Sequence, residues 1–276
     1  MNKQAKQKAV SVGKSIYCAL IYLFLFCPIT VVVANSFNAT TTKPYLSWKG
    51  FTLDWYVKLF DGSNSSILEA FGHTMTIAVA STILAVMLGT LAAVGMYKYQ
   101  FKGKNIIDGL LYIPVVIPEI ILGIALLTLF SNVSLTRGMV TLILAHATFS
   151  VPFVVFNIRA RLHGYDGSIE EASMDLGANR IVTFLRITLP VLAPGISGGA
   201  ILAFTLSIDD VIISYFVNGT TSTFPLKVME SVKMGVSPAI NALSTLVLVA
   251  TIFFVVLTQT DLLKKTVKKI KKKCRN

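Results

Sequence analysis

Long stretches without charged residues recur along this chain of 276 residues. A membrane-spanning helix needs about 20 predominantly apolar residues, and six stretches reach or approach that length. The pattern predicts transmembrane helices at residues 15–42, 70–97, 120–136, 138–158, 187–208 and 234–260. The third extends back to residue 109 if an internal glutamate is allowed, and the fifth continues past two aspartates to about residue 217.

The composition agrees with a polytopic membrane protein. Hydrophobic residues form 54% of the chain and charged residues 14%, against roughly 25% charged residues in a soluble domain. The mean hydropathy is +0.71. These values exclude a disordered chain and, despite the net charge of +12, argue against a nucleic-acid-binding protein. Cys18 and Cys27 share the first apolar run, where packing is their expected role.

The lysines and arginines indicate the orientation of the spans. With a cytoplasmic N-terminus, 19 of the 25 lie in cytoplasmic segments. We therefore expect both termini in the cytoplasm, with a short segment 1–14, a transmembrane domain 15–260 and a basic tail 261–276. The first span is longer than a signal-peptide core and is interpreted as a retained anchor. The tail either anchors the topology or binds anionic membrane lipid specifically.

The cytoplasmic loop between the fourth and fifth spans has the most specific pattern. Ser168 and Glu171 have the spacing of a capping box, which predicts a helix start. Gly177 is placed to end that helix in a left-handed conformation, and Asn179 to cap a second short helix. Pro190 then stops the second helix or opens the next span.

The spacing resembles the EAA loop of ABC importer permeases, which reads E-A-A, three residues, G, nine residues and I-x-L-P. Here Glu171-Ala172-Ser173, Gly177 and Ile187-x-Leu189-Pro190 fill the pattern, with serine replacing the second alanine. The alternative is an ordinary amphipathic interfacial loop. The resemblance implies that the loop, about 164–190, docks on an ATPase subunit. The residues expected in this coupling are Glu170, Glu171, Ala172, Ser173, Asp175, Gly177, Leu189 and Pro190.

The chain has no convincing nucleotide site of its own. Gly13-Lys14-Ser15 resembles the end of a P-loop, but Lys8 stands where that motif requires glycine. We therefore expect a transport subunit that is not an enzyme, has no catalytic residue and needs neither a cofactor nor a metal.

Three carboxylates fall within the predicted spans: Glu119, Asp209 and Asp210. A carboxylate at the centre of a span costs roughly 2.5–3.5 kcal/mol on insertion scales, and no lysine or arginine lies in the same spans. Adjacent residues lie about 100° apart on a helix, so both aspartates cannot face one pathway equally. The carboxylates therefore predict either a pathway for a cationic substrate or protonated, hydrogen-bonded packing acids.

Other polar or helix-breaking residues allow two interpretations each. Pro114 and Pro118 near Glu119, and Pro152, which is expected to interrupt the fourth span, mark either a substrate route or packing kinks. His146 within the fourth span is either a proton relay or, more simply, a histidine hydrogen-bonded inside the bundle. Glycines 195 and 199 predict a close helix interface.

Further segments resemble the permeases of polyamine (spermidine/putrescine) importers. They include residues 204–212 around the two aspartates, 224–243, 97–104 and 53–56. The resemblance implies a subunit of the bacterial plasma (inner) membrane that works with a second homologous permease, two ATPase subunits and an extracytoplasmic polyamine-binding protein. Trp48 and Trp55 then either contact the substrate through cation–π interactions or anchor the protein at the membrane interface.

The fold class expected from this resemblance is all-α, a type I ABC importer (MetI-like) permease fold with six transmembrane helices. Three alternatives differ in function: a permease for another solute, an autonomous cation channel or secondary carrier, and a membrane enzyme. An anion carrier would need basic groups along its pathway, and an autonomous carrier would not need the EAA spacing.

Overall fold

A computed structural model describes residues 3–41 and 47–253 of the chain. Within this part the secondary structure is helical, apart from an isolated antiparallel bridge between Asn38 and Phe51. The predicted tail 261–276 lies outside the described residues. The helices are α1 (Lys3–Ser36), α2 (Asp54–Phe60), α3 (Ser65–Lys98), α4 (Lys104–Val116), α5 (Glu119–Asn132), α6 (Met139–Leu162), α7 (Ser168–Asp175), α8 (Arg180–Thr183), α9 (Leu189–Asp209), α10 (Ile212–Val217), α11 (Phe224–Met234) and α12 (Pro238–Phe253).

Several helices are long and apolar enough to cross a membrane. Among the described residues four pass that test on their own: 12–36, 65–98, 139–162 and 180–209. The pair α4 and α5 makes a fifth span if it is counted as one element. The shorter apolar helix α12 covers the first part of the predicted span 234–260, and the remainder of that span lies outside the described residues.

The predicted third span is a sharply bent pair of helices. The axes of α4 and α5 differ by 111°, and the break falls at Ile117 and Pro118. Ile117 is extended, with φ −70° and ψ 136°, because a proline disfavours helical geometry in the residue before it. Pro152 behaves differently, since α6 runs through it without a break. The prediction that Pro152 interrupts the fourth span is therefore wrong.

Residues 68–230 form one compact unit, in which α6 packs closely against α9. A Cβ atom placed on Gly199 would lie 3.0 Å from the Cα of Val154, and one on Gly195 would lie 3.1 Å from the carbonyl oxygen of Asn157. The absence of side chains at these glycines is what permits the close approach. The predicted helix interface at glycines 195 and 199 is confirmed.

The described residues before 68 and after 230 form a second unit. Here Asn38 organises the segment after α1. Its side chain donates to the Ser47 carbonyl and accepts from the Lys49 amide, at 3.0 and 2.9 Å. The cysteines of α1 are exposed in the described chain, so the packing role expected for them is not seen within this chain.

Candidate functional site

The EAA loop in the structure consists of helix α7, a glycine turn and the start of the fifth span. Gly177 has a φ of +89°, which is the predicted left-handed conformation. Asn179 caps the next helix by accepting a hydrogen bond from the Val182 amide at 2.8 Å. Both of these local predictions are confirmed.

Helix α7 begins at Ser168 as predicted, but the expected capping box and the expected separate second helix are both wrong. Ser168 is the first residue of α7 and makes no side-chain cap; its amide instead donates to the carboxylate of Asp166 at 3.0 Å. The second helix is not a separate short element, because α8 continues through a π-helical turn at Phe184–Thr188 directly into α9. Pro190 lies in the first turn of α9, inside the continuous helical run 180–209, so it neither stops a separate helix nor opens the span.

Glu170 anchors α7 to the rest of the chain. Its side chain is only 11% exposed and forms an ion pair with Lys98 at the end of α3. The hydroxyls of Tyr165 and Thr188 donate to the same carboxylate at 2.8 and 2.6 Å. Glu170 therefore connects three separate segments, and its carboxylate is directed into this chain rather than toward a partner.

The electrostatics of this anchor favour a charged glutamate. Burial opposes ionisation of Glu170, but the hydrogen bonds from Lys98, Thr188 and Tyr165 outweigh it, so the pKa of Glu170 lies below its ordinary value. Burial and the neighbouring carboxylate raise the pKa of the Tyr165 phenol to about 12. Tyr165 consequently remains a hydrogen-bond donor at any physiological pH.

The opposite side of the loop is open. Glu171 and Asp175 are exposed, and Leu176 is 90% exposed. A groove of about 450 Å³ runs between α7 and the start of the fifth span. Its lining is mainly apolar and consists of Ile169, Ala172, Ser173, Leu176, Ala178, Val182, Arg186 and Ile187. This surface offers an apolar recess with acidic residues nearby.

The remaining coupling candidates are divided between the groove and the start of α9. Ser173 bonds to the hydroxyl of Thr183 at 3.2 Å, which ties α7 to the following helix. Ala172 and Ser173 line the groove, whereas Leu189 and Pro190 begin α9. The structure therefore gathers most of the coupling residues on α7 and its glycine turn and places Leu189 and Pro190 on α9.

The three intramembrane carboxylates lie at breaks between consecutive helices. Glu119 is the first residue of α5, directly after the break from α4. Asp209 ends α9 and Asp210 follows it, before α10. The helices α5 and α10 pack against each other, and Glu119 lies close enough to both aspartates to interact with them electrostatically. The fold therefore brings all three carboxylates into one region.

The two aspartates have different environments. Asp209 is exposed within the described chain, whereas the side chain of Asp210 is 5% exposed. The oxygens of Asp210 accept hydrogen bonds from the amides of Ile213 and Ser214, at 3.3 and 2.8 Å. Among the lysines and arginines whose side chains the structure describes, none has a nitrogen within 4.0 Å of these three carboxylates.

The two tryptophans belong to the other unit of the chain. Trp48 is 57% exposed. The indole of Trp55 donates to the carbonyl of Asn38 at 2.8 Å, and the ammonium of Lys58 lies 4.9 Å from the centre of its ring. The Trp55 ring therefore already has an ammonium group within cation–π distance.

Sequence reasoning missed the partners of these residues. The sequence pattern does not predict that Lys98 and Thr188 hold the loop. The position of Lys98, a cation at the end of a predicted span, indicates that it can pair with an acidic residue at the membrane surface. Nothing local in the sequence indicated its pairing with a glutamate 72 positions later.

The comparison with protein families identifies the family. Residues 85–269 match the model of the binding-protein-dependent transport system inner membrane component. The chain belongs to this family. It is 39% identical over 247 residues to the spermidine/putrescine transport system permease protein PotC of Haemophilus influenzae, covering 89% of this chain and 95% of that protein. It is 41% identical over 235 residues to the putrescine transport system permease protein PotI of Escherichia coli, covering 82% of each.

A solved structure supports the fold. The chain resembles a subunit of a bacterial ABC transporter involved in the import of the acidic polysaccharide alginate, with a TM-score of 0.71 at 12% identity. The match covers 94% of this chain and 98% of that one. The fold class expected from the sequence, a helical MetI-like permease, is confirmed. The protein is a multi-pass membrane component of the ABC importer permease family.

Proposed function

We propose that this chain is a permease subunit of an ABC importer that takes up polyamines such as spermidine and putrescine. The observation that carries this proposal is the extensive similarity to polyamine permeases, together with three acidic groups gathered at helix breaks without a lysine or arginine partner among the described residues. A polyamine is a dication or trication near neutral pH, and carboxylates at membrane depth replace part of the hydration that it loses.

The proposed substrate pathway includes Glu119, Asp209 and Asp210. Asp209 and Glu119 are the carboxylates expected to contact the ammonium groups, because Asp209 is exposed and Glu119, at the start of α5, is only half-buried. Asp210 is already engaged by backbone amides and shapes the site. Trp48 and Trp55 are proposed to line the outer entrance, and the ammonium of Lys58 beside Trp55 illustrates the contact that a polyamine would make.

The EAA loop is proposed to transmit the ATPase cycle to this pathway. The open groove and the exposed residues around it suit a rigid insertion into a cytoplasmic partner. Glu171 and Asp175 would contact that partner directly, whereas Glu170 would hold α7 in place. The full importer would contain a second homologous permease and two ATPase subunits, and an extracytoplasmic binding protein would deliver the polyamine.

The proposed orientation places both termini in the cytoplasm of a bacterial cell. It follows from the positive-inside distribution of lysine and arginine and sets the EAA loop on the side where ATP is available. Protease treatment of sealed right-side-out vesicles carrying a tag at either terminus tests this orientation. Cleavage of either tag from outside would contradict it.

The test of function is transport by the complete complex in proteoliposomes. Wild type is expected to accumulate spermidine and putrescine when ATP is inside, and not an uncharged diol of similar length. Asp209→Asn and Glu119→Gln are each expected to raise the KM for polyamine about tenfold, since about 1.4 kcal/mol of lost binding energy corresponds to a factor of ten. Glu69→Gln, which neutralises an exposed carboxylate at the start of α3, is the matched control.

Two outcomes would contradict the proposal. Accumulation of the uncharged diol, or no polyamine uptake by an assembled wild-type complex, would exclude polyamine import. Unchanged KM values in both Asp209→Asn and Glu119→Gln would remove the carboxylates from the pathway. Uptake that persists without the ATPase subunits would instead indicate an autonomous carrier.

A further inference from the structure

A buried polar network crosses the interior of the 68–230 unit beside the carboxylates. His146 lies in the first half of α6 and is 3% exposed. Its Nδ1 lies 2.7 Å from the hydroxyl of Ser207 on α9, and that hydroxyl lies 3.2 Å from Ser81 on α3. On the other side of the ring, Nε2 lies 2.9 Å from the hydroxyl of Ser214 on α10. One histidine therefore contacts both sides of the break between α9 and α10.

The same ring nitrogen also faces Asp210. Nε2 lies 3.3 Å from the Oδ2 atom of Asp210, and both side chains are almost fully buried. An ionised carboxylate only accepts hydrogen bonds, so a hydrogen on Nε2 is attracted by this oxygen as well as by Ser214. No lysine or arginine whose side chain is described has a nitrogen within 4.0 Å of this carboxylate, so the imidazole is the basic group that contacts it.

Asp210 in turn holds the start of α10. It accepts from the amides of Ile213 and Ser214, which have no partner within the helix at that position. Its own backbone is extended, with φ −62° and ψ 124°, and this geometry ends α9. Asp209 is the last residue of α9 and directly precedes Asp210. The conformation of Asp210 therefore determines where the exposed carboxylate of Asp209 lies.

We propose that His146 is a positioning residue for the polyamine pathway, because it holds Asp210 on the start of α10 and thereby fixes the helix break that presents Asp209. This inference rests on the proposed function. His146 itself does not touch the substrate, since Ser207, Ser214 and Asp210 surround its ring nitrogens. Its role is to keep the break in one conformation.

The test compares three variants of the complete complex. His146→Leu removes both ring nitrogens, whereas His146→Gln keeps an amide that donates toward Asp210. We expect His146→Leu to raise the KM for spermidine and putrescine at least tenfold without changing the ATPase rate in the absence of substrate. His146→Gln is expected to stay within threefold of wild type. His163→Leu, at an exposed histidine after α6, is the matched control and is expected to leave KM unchanged.

A double-mutant cycle with Asp210→Asn tests the connection directly. In the Asp210→Asn background, His146→Leu is expected to raise KM less than threefold further, because the group that it positions is already altered. The same cycle is measured on the melting temperature of the purified complex, which requires no substrate. There the two substitutions together are expected to lower the melting temperature by less than the sum of their separate effects.

The outcomes separate this inference from the proposed function. A wild-type complex that carries no polyamine contradicts the proposed function, while the melting-temperature cycle still decides whether His146 and Asp210 are coupled. An unchanged KM in His146→Leu, an equal loss in His146→Gln, or purely additive effects in the cycle would each overturn the positioning role.

Discussion

Replacing Lys98 with methionine removes the cation that pairs with Glu170 and keeps most of the apolar stem. The two side chains are 28% and 11% exposed, so the pair is largely shielded from water. Removing one partner of a buried pair costs roughly 3–5 kcal/mol. We expect the lower end, about 3 kcal/mol, because the hydroxyls of Tyr165 and Thr188 still donate to the carboxylate.

The loss of this ion pair destabilises α7 locally. A helix of 8 residues is not stable by itself, and Glu170 is the buried residue through which it is held. A loss of about 3 kcal/mol raises the opening equilibrium of the loop roughly 100-fold. Hydrogen exchange of the α7 amides in Lys98→Met is therefore expected to accelerate by about that factor, while the amides of α6 keep their protection.

The same variant is expected to separate ATP hydrolysis from transport. Polyamine uptake by the reconstituted complex should fall more than the ATPase rate, since a mobile α7 transmits force poorly. Lys98→Arg keeps a cation and serves as the control. The double variant Lys98→Met/Glu170→Gln is expected to recover most of the protection, because a neutral amide no longer needs the ammonium. Wild-type exchange rates in Lys98→Met, or no recovery in the double variant, would refute the anchor.

Three further predictions concern backbone packing and pH. Gly89→Ala is expected to lower the melting temperature of the complex, because the new Cβ would lie 2.8 Å from a side chain of α6 and overpacking costs roughly 1–3 kcal/mol. Gly95→Ala is the control on the same helix. A Cβ at Gly95 would have no neighbouring atom within 4 Å, so the melting temperature should not change. Gly177→Ala is expected to impair coupled ATPase activity, since the φ of +89° at this position costs a non-glycine residue roughly 1–2 kcal/mol. Gly164→Ala is the control: a Cβ there would have no neighbouring atom within 4 Å, and the ATPase activity should not change. The pKa of Glu170 in the folded protein lies below the ordinary value of 4.5. The stabilisation that its carboxylate provides is therefore complete above pH 4.5 and is lost as the pH falls through the lower, folded pKa. The rate of limited proteolysis of the loop should increase below pH 4.5 in wild type and should not change with pH in Glu170→Gln.

The local features of the chain were accessible from the sequence because they depend on near neighbours. The glycine turn at Gly177 and the cap at Asn179 involve residues within three or four positions, where backbone geometry restricts the choices. The capping box at Ser168 failed although its spacing was right, because Asp166 offered the Ser168 amide another acceptor. The helix break expected at Pro152 is absent, because a proline within a membrane helix is tolerated when neighbouring helices support it.

The sequence by itself determined the apolar spans, the asymmetry of positive charge, the EAA spacing and the presence of acids at membrane depth. Only the tertiary structure decided that Glu170 faces inward while Glu171 faces outward, and that Asp210 is buried while Asp209 is exposed. The physical reason is that these distinctions depend on partners far away along the chain. Glu170 meets a lysine 72 positions earlier, and His146 meets a serine 61 positions later. No local pattern specifies such pairs, because packing of whole helices brings them together.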